Sequence, residues 1–136
     1  MTSTIKLLLI QDEFSVCQLP AGSKIPDAVH QLPWFTVSKT PAELSLVIPT
    51  TPGLAFAKEE REWRCFQVDA QMDFGLVGIL ARIVGPLRDH SIPVFVVSTF
   101  DTDYVLVKQD KVHEAIQVLH AQDAIQVKDG PRLIQS

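Results

Sequence analysis

The chain has 136 residues, 46% of them hydrophobic and 21% charged, a length that holds one ordinary domain or two very small ones and excludes a multidomain enzyme. The balance is that of a soluble globular chain rather than a disordered one. Twelve Lys and Arg against sixteen Asp and Glu give a formal charge of −4, without the clustered positive field that a nucleic-acid partner requires.

Residues 5–10 predict a strand, and their apolar run, Leu7 to Ile10, is too short for a signal-peptide core or a membrane span. A soluble cytoplasmic protein is expected. Residues 14–19 predict a second strand, residues 26–31 allow only a short helix, and residues 34–38 and 44–48 predict two more strands. The charged stretch 58–62 reads as a connector, followed by a strand at 63–68.

From Leu76 the apolar residues Leu76, Ile79, Leu80, Ile83, Val84 and Leu87 fall on one helical stripe. Pro86 deletes a backbone bond late in that helix and should kink or tighten its last turn. The continuous apolar run 92–97 predicts a strand buried on both faces. Asp101-Thr102-Asp103 predicts a turn and 104–107 a returning strand. Asp110 is placed to cap a helix with the stripe Val112, Ala115, Ile116, Leu119, and 124–127 predicts a last strand ending at Asp129-Gly130-Pro131.

The second half thus reads strand, helix, strand, strand, helix, strand: an α+β sandwich of the ferredoxin-like (βαββαβ) kind, with helices on one face of an antiparallel sheet. Sliding the sequence sixty places aligns residues 26–47 with 86–107 without gaps. Eight of these twenty-two positions are identical: Pro26/Pro86, His30/His90, Pro33/Pro93, Phe35/Phe95, Val37/Val97, Ser38/Ser98, Leu46/Leu106 and Val47/Val107; chance gives about one or two. The expectation is therefore two ferredoxin-like subdomains, residues 1–60 a reduced half and residues 61–136 a fuller one. Halves this small bury too little surface to stand alone and should pack on each other, with Leu133 and Ile134 returning to the first.

The segment Ser98-Thr99-Phe100-Asp101-Thr102-Asp103-Tyr104-Val105-Leu106-Val107 resembles the signature of a branch of the ACT-domain family, which includes bacterial tandem-ACT proteins and the CASTOR cytosolic arginine sensors. Asp73-Phe74-Gly75-Leu76-Val77-Gly78-Ile79-Leu80 resembles that family's strand-to-helix loop, and residues 35–47 resemble a first-half counterpart. The resemblance implies a non-enzymatic small-molecule sensor that takes an amino acid at an interface between ACT domains, as a homodimer signalling to an effector protein. By position it points to Gly75, Val77, Gly78, Thr99, Phe100 and Asp103 at the ligand. It implies no cofactor and no metal.

The residues themselves are compatible with this. A carboxylate suits a helix N-terminus, and glycines let the backbone approach a ligand. Asp101 and Asp103, beside Ser98 and Thr99, offer carboxylates and hydroxyls to a cationic group. The same residues are also ordinary turn chemistry, and Glu43, the repeat partner of Asp103, is a weaker candidate. The alternative function is a protein-interaction or structural module with the same fold and no ligand.

Other constellations carry less. Asp73-Phe74-Gly75 matches a kinase tripeptide without the loops a kinase needs. His113 and His120 stand about two helical turns apart, too far for a compact metal pair, while His30 and His90 fall near helix ends, where a partial negative charge suits a cation. Cys17 and Cys65 lack metal-ligand spacing; they read as buried thiols, with a disulfide between them as the alternative. Trp34, Phe35, Phe95 and Trp63 read as packing residues.

Overall fold

Alternation of side chains builds the first strand, β1 (Ile5–Leu9): Ile5 and Leu7 are buried and Lys6 faces solvent. The computed structural model describes residues 4–69 and 78–135. After β1 come β2 (Phe14–Pro20), α1 (Asp27–His30), β3 (Thr36–Lys39), β4 (Glu43–Pro49), β5 (Lys58–Val68), α2 (Ile79–Asp89), β6 (Phe95–Ser98), β7 (Asp103–Lys108), α3 (Val112–His120) and β8 (Ile125–Asp129). The chain divides into two compact units: a larger one, Met1–Gln11 with Arg64–Pro131, and a smaller one, Asp12–Trp63 with Arg132–Ser136.

In the larger unit the second half of β5, then α2, β6, β7, α3 and β8, form an α+β, ferredoxin-like βαββαβ arrangement. Its strands lie in the order β6-β7-β5-β1-β8. Between the first and last strands of that motif stands β1, antiparallel to β5, with Leu7 opposite Val68, and parallel to β8, with Leu7 opposite Val127. Ile79, Ile83 and Leu87 of α2 and Val112, Ala115, Val118 and Leu119 of α3 bury one stripe each against Leu7, Phe66, Val68, Val105 and Val107. Both helices therefore cover the same sheet face, and each fully buried Leu or Ile contributes about 1.5–3 kcal/mol.

Helix α2 ends as its sequence dictates. Pro86 lacks an N–H for the Arg82 carbonyl, and the last turn tightens: the His90 N–H reaches the carbonyls of both Pro86 and Leu87, each at 3.2 Å. Ser91 then turns left-handed (φ 57°), and the Ile92 N–H returns to the Leu87 carbonyl at 2.9 Å, closing a Schellman motif.

Two expectations for this unit are corrected. The apolar run 92–97 is not a strand buried on both faces: β6 begins at Phe95, has β7 as its one strand neighbour among the described residues, and is half-buried. The doubly buried strand is β7, where Val105, Leu106 and Val107 are all fully covered. An apolar run does not record how many neighbours a strand has. Asp110 does not cap α3 either: it lies in a 3₁₀ turn, Gln109–Lys111, which runs straight into the helix, and Lys111 stands at the N-cap without a side-chain bond.

The smaller unit has the strand order β3-β4-β2-β5. Among its described residues the one helix, α1, is a single turn, and residues 50–57 run between β4 and β5 without a helix. Leu54 and Phe56 from that run pack on Cys17, Val29, Leu46 and Ile48, filling in as irregular chain what α3 does in the other unit. The ring of Trp34 meets Phe14 edge-on at 5.2 Å. Asp12, 6% exposed, accepts the N–H groups of Leu133 (2.7 Å) and Ile134 (3.0 Å), so its buried charge is met by the tail.

The stretch 58–62 is not a connector but the start of β5, with Lys58 opposite Gln18 and Glu60 opposite Val16. Its charges conceal a strand whose outward positions face solvent. A bulge follows, where the register slips between Val16 and Phe14 and Glu62 takes φ 67°.

Candidate functional site

The turn between β6 and β7 is built by two threonines. Thr99 donates its N–H (2.8 Å) and its hydroxyl (3.1 Å) to the Thr102 carbonyl, and the Thr102 N–H returns to Thr99 Oγ1 (3.2 Å). A hydroxyl can donate and accept at once, so one side chain closes the loop twice. The Thr102 hydroxyl, buried at 4% exposure, donates to the carbonyl of Val68, the last residue of β5. This ties the turn to the strand end from which the chain leaves towards α2. Sequence reading passed over Thr102, because turn threonines are common and nothing local marks this one as buried.

On that frame the tip presents Phe100, 88% exposed, and the exposed Asp101. Asp103 opens β7 opposite Ser98 and is half-buried. Thr99, Phe100 and Asp103 thus share one turn. Gly78 belongs to another element: it is the N-cap of α2, at φ 78°, a conformation that strains any residue with a side chain. Among the described residues no side chain caps that helix, and its first turn holds no acid; the leading N–H groups of a helix suit an anion. Gly75 and Val77 lie outside the described residues, as do Asp73, Phe74 and Leu76.

The smaller unit repeats the turn with different residues. Thr40 donates its N–H to the Glu43 carbonyl (2.9 Å), and its Oγ1 accepts the N–H groups of Ala42 and Glu43 (3.1 Å each). Thr40 is to Glu43 what Thr99 is to Thr102, a spacing of 59 between the two turns (Thr40 to Thr99) rather than sixty. Strand pairing agrees: Lys39 opposes Leu44 as Ser98 opposes Asp103. The same spacing puts Leu46 and Ile48 where Val105 and Val107 stand, each pair packed on the helix-bearing side of its own sheet. Glu43 therefore matches Thr102 in the turn and not Asp103, which corrects its place as the repeat partner. One residue of offset sends a strand's side chains to the opposite face.

The remaining candidates have structural surroundings. Cys17 and Cys65 are both buried free thiols, not a disulfide. Burial, with a smaller push from the Glu59 carboxylate, raises the Cys17 thiol to about 11, and burial raises Cys65 further; neither is a ready nucleophile at neutral pH. His30 meets the Phe35 ring edge-on at 5.8 Å, and His90 Nδ1 lies 3.0 Å from the Pro86 carbonyl. His113 and His120 are exposed on α3. Among the described residues no three His, Cys, Asp or Glu gather as a metal site, and no helix is long and apolar enough to cross a membrane.

Comparison with known proteins adds a family. Residues 58–121 match the model of the ACT domain. The mouse protein named cytosolic arginine sensor for mTORC1 subunit 1 is 33% identical over 119 residues, covering 82% of this chain and 36% of the mouse protein. The chain spans about a third of the length of such relatives. A crystal structure of an Agrobacterium tumefaciens protein is similar over 99% of this chain and 100% of its own, with TM-score 0.84 and 23% identity. The Clostridium acetobutylicum aspartate kinase, described as an allosteric enzyme, is similar over 88% of this chain and 34% of its own, with TM-score 0.68 and 12% identity. At these identities the two structures share the fold.

Proposed function

Residues 58–121 belong to the ACT-domain family, and from that premise we propose that the chain is a non-enzymatic regulatory module that binds an amino acid or a similar small metabolite. The ligand sits beside the β6–β7 turn and the start of α2, with Gly75, Val77, Gly78, Thr99, Phe100 and Asp103 at the site. The observation that carries this reading is the locked turn. Thr99 and Thr102 hold its backbone, and Thr102 pins it to Val68, so Phe100 and Asp103 are presented from a fixed frame. Preorganisation of this kind reduces what binding costs in lost freedom.

The chemistry fits an amino acid. The first-turn N–H groups behind Gly78, with no side-chain cap among the described residues, suit its carboxylate, the Asp103 carboxylate suits its ammonium, and Phe100 offers an apolar surface. The mouse relative's name, a cytosolic arginine sensor, supports the ligand class. In this reading the chain carries two ACT-type copies, the first reduced, two chains pair, and binding one state better than another shifts a population read by an effector protein. The second reading, an interaction module without a ligand, is favoured by one observation, the 88% exposure of Phe100 at a turn tip.

A thermal-shift panel of the twenty amino acids separates the two. A ligand at a hundred times its Kd adds about 2.7 kcal/mol to stability, and Asp103→Ala is expected to abolish that shift while its unliganded melting point stays within about two degrees of the parent's, as for other surface changes. Normal binding by the variant, or its broad unfolding, overturns the assignment of Asp103. No shift with any amino acid favours the interaction module.

A further inference from the structure

In the smaller unit a buried acid holds a distant piece of chain. Asp12, 6% exposed, accepts the Leu133 N–H at Oδ1 (2.7 Å) and the Ile134 N–H at Oδ2 (3.0 Å). In a strand successive N–H groups point to opposite edges, so two of them on one carboxylate require a bent backbone, and the chain bends at residues 133–134. Independently of the function argued above, we propose that Asp12 is the floor of a peptide-binding notch. Residues 132–135 fill it as a displaceable plug. Its external ligand is a segment of a partner protein, bent in the same way, with two apolar residues in succession.

The plug is held at one point. Up to Pro131 the chain is fixed beside β1: Gly130 donates its N–H to the Leu9 carbonyl (2.8 Å), and Gln11 donates its N–H to the Pro131 carbonyl (2.9 Å) and Nε2 to the Gly130 carbonyl (3.2 Å). Beyond Pro131, among the described residues, the two bonds to Asp12 are the hydrogen bonds that tie the segment to the rest of the chain; the bond from Gln135 Nε2 to the Arg132 carbonyl is internal. Leu133 and Ile134 are half-buried, and Arg132 and Gln135 are exposed. A segment with so few attachments opens ahead of the core. What it leaves behind demands a replacement. An ionised carboxylate only accepts hydrogen bonds, and one set this deep needs donors. A pair of converging backbone N–H groups supplies them, whereas an acidic group is repelled. Main-chain capture of this kind provides affinity, and the places of Leu133 and Ile134 select apolar side chains.

The test uses the isotope-labelled full chain carrying Ile134→Pro, which deletes one of the two donated N–H groups and disfavours the bend before it. An unlabelled, end-blocked peptide of residues 130–135 is titrated in while amide shifts are followed. Saturable shifts are expected at Asp12 and Glu13, with the spectrum of residues 14–60 otherwise kept. The parent chain should need at least about tenfold more peptide, because its own tail competes from a high effective concentration. The same peptide with proline in place of its isoleucine should not bind. No saturable shift at Asp12 in the variant overturns the notch, and equal binding of the proline peptide overturns recognition through paired N–H groups. Collapse of the dispersed resonances of residues 14–60 in Ile134→Pro would make the tail an integral part of its unit, and that too overturns a displaceable plug.

Discussion

The two threonine-closed turns share a backbone frame and differ in what the frame holds. In the larger unit the residue three after the first threonine is Thr102, buried and bonded to the end of β5. In the smaller unit it is Glu43, whose side chain instead reaches Gln18 at 3.2 Å on the exposed sheet surface. The tip residue is an exposed phenylalanine in one and Pro41 in the other. The units differ in the same sense: two helices close one sheet face, while a single helical turn and irregular chain close the other. A shared hydrogen-bond frame thus fixes the shape of a turn, and the residues hung on it decide whether the turn is anchored or merely closed.

Breaking the cores should separate the units most strongly. Ile83→Ala, at the centre of the α2 stripe, is expected to cost about 3–4 kcal/mol. Val29→Ala, its counterpart on α1 and likewise fully buried, removes one carbon fewer and should cost about 2–3 kcal/mol with its cavity included; urea denaturation measures both. A larger loss at Val29 would mean that the short helix carries more of its unit than its one turn suggests.

The anchor is the next test. Thr102→Val strips the buried Val68 carbonyl of its partner and should cost about 1–3 kcal/mol, whereas Glu43→Gln should stay within about 0.5 kcal/mol. Equal effects would erase the distinction between an anchored and a closed turn.

How far these differences could be read from sequence depends on whether their cause is local. Alternation and helical stripes are local, and strands such as 14–19 and helix α2 stand where periodicity places them. Register is not local. The sixty-residue alignment maximised identities such as Phe35/Phe95, yet Phe35 packs on its unit's helix-side cluster, as do Val94 and Val96, and Phe95 does not. Similar apolar runs align equally well one residue out, and only the hydrogen bonds of the turn decide. β1 reads as a strand from its own residues, but its pairing with β8 at the other end of the chain leaves no mark in either segment. Charge hid the strand at 58–62, and burial of Thr102 depends on a carbonyl 34 positions away. Of the candidate site, the turn and the helix-opening glycine were legible; the threonine that anchors the turn was not.

The smallest expected effect concerns the two thiols. A thiol held neutral by burial stabilises the fold fully below its unfolded value of about 9, and that contribution is lost as pH rises through the folded value, about 11 for Cys17. Stability should therefore decline between pH 9 and 11, and Cys17→Ala should flatten part of the decline. Cys65, raised further, should contribute up to still higher pH. A flat profile in the parent protein would contradict the burial of both.

The central claim, that the anchored turn is a ligand site, is tested most directly by mapping amide shifts as the full chain is titrated with each of the twenty amino acids. The account predicts at least one that produces saturable shifts centred on Gly78, Thr99, Phe100 and Asp103, with Thr102→Val weakening it. Twenty titrations that leave those four resonances unmoved would contradict it.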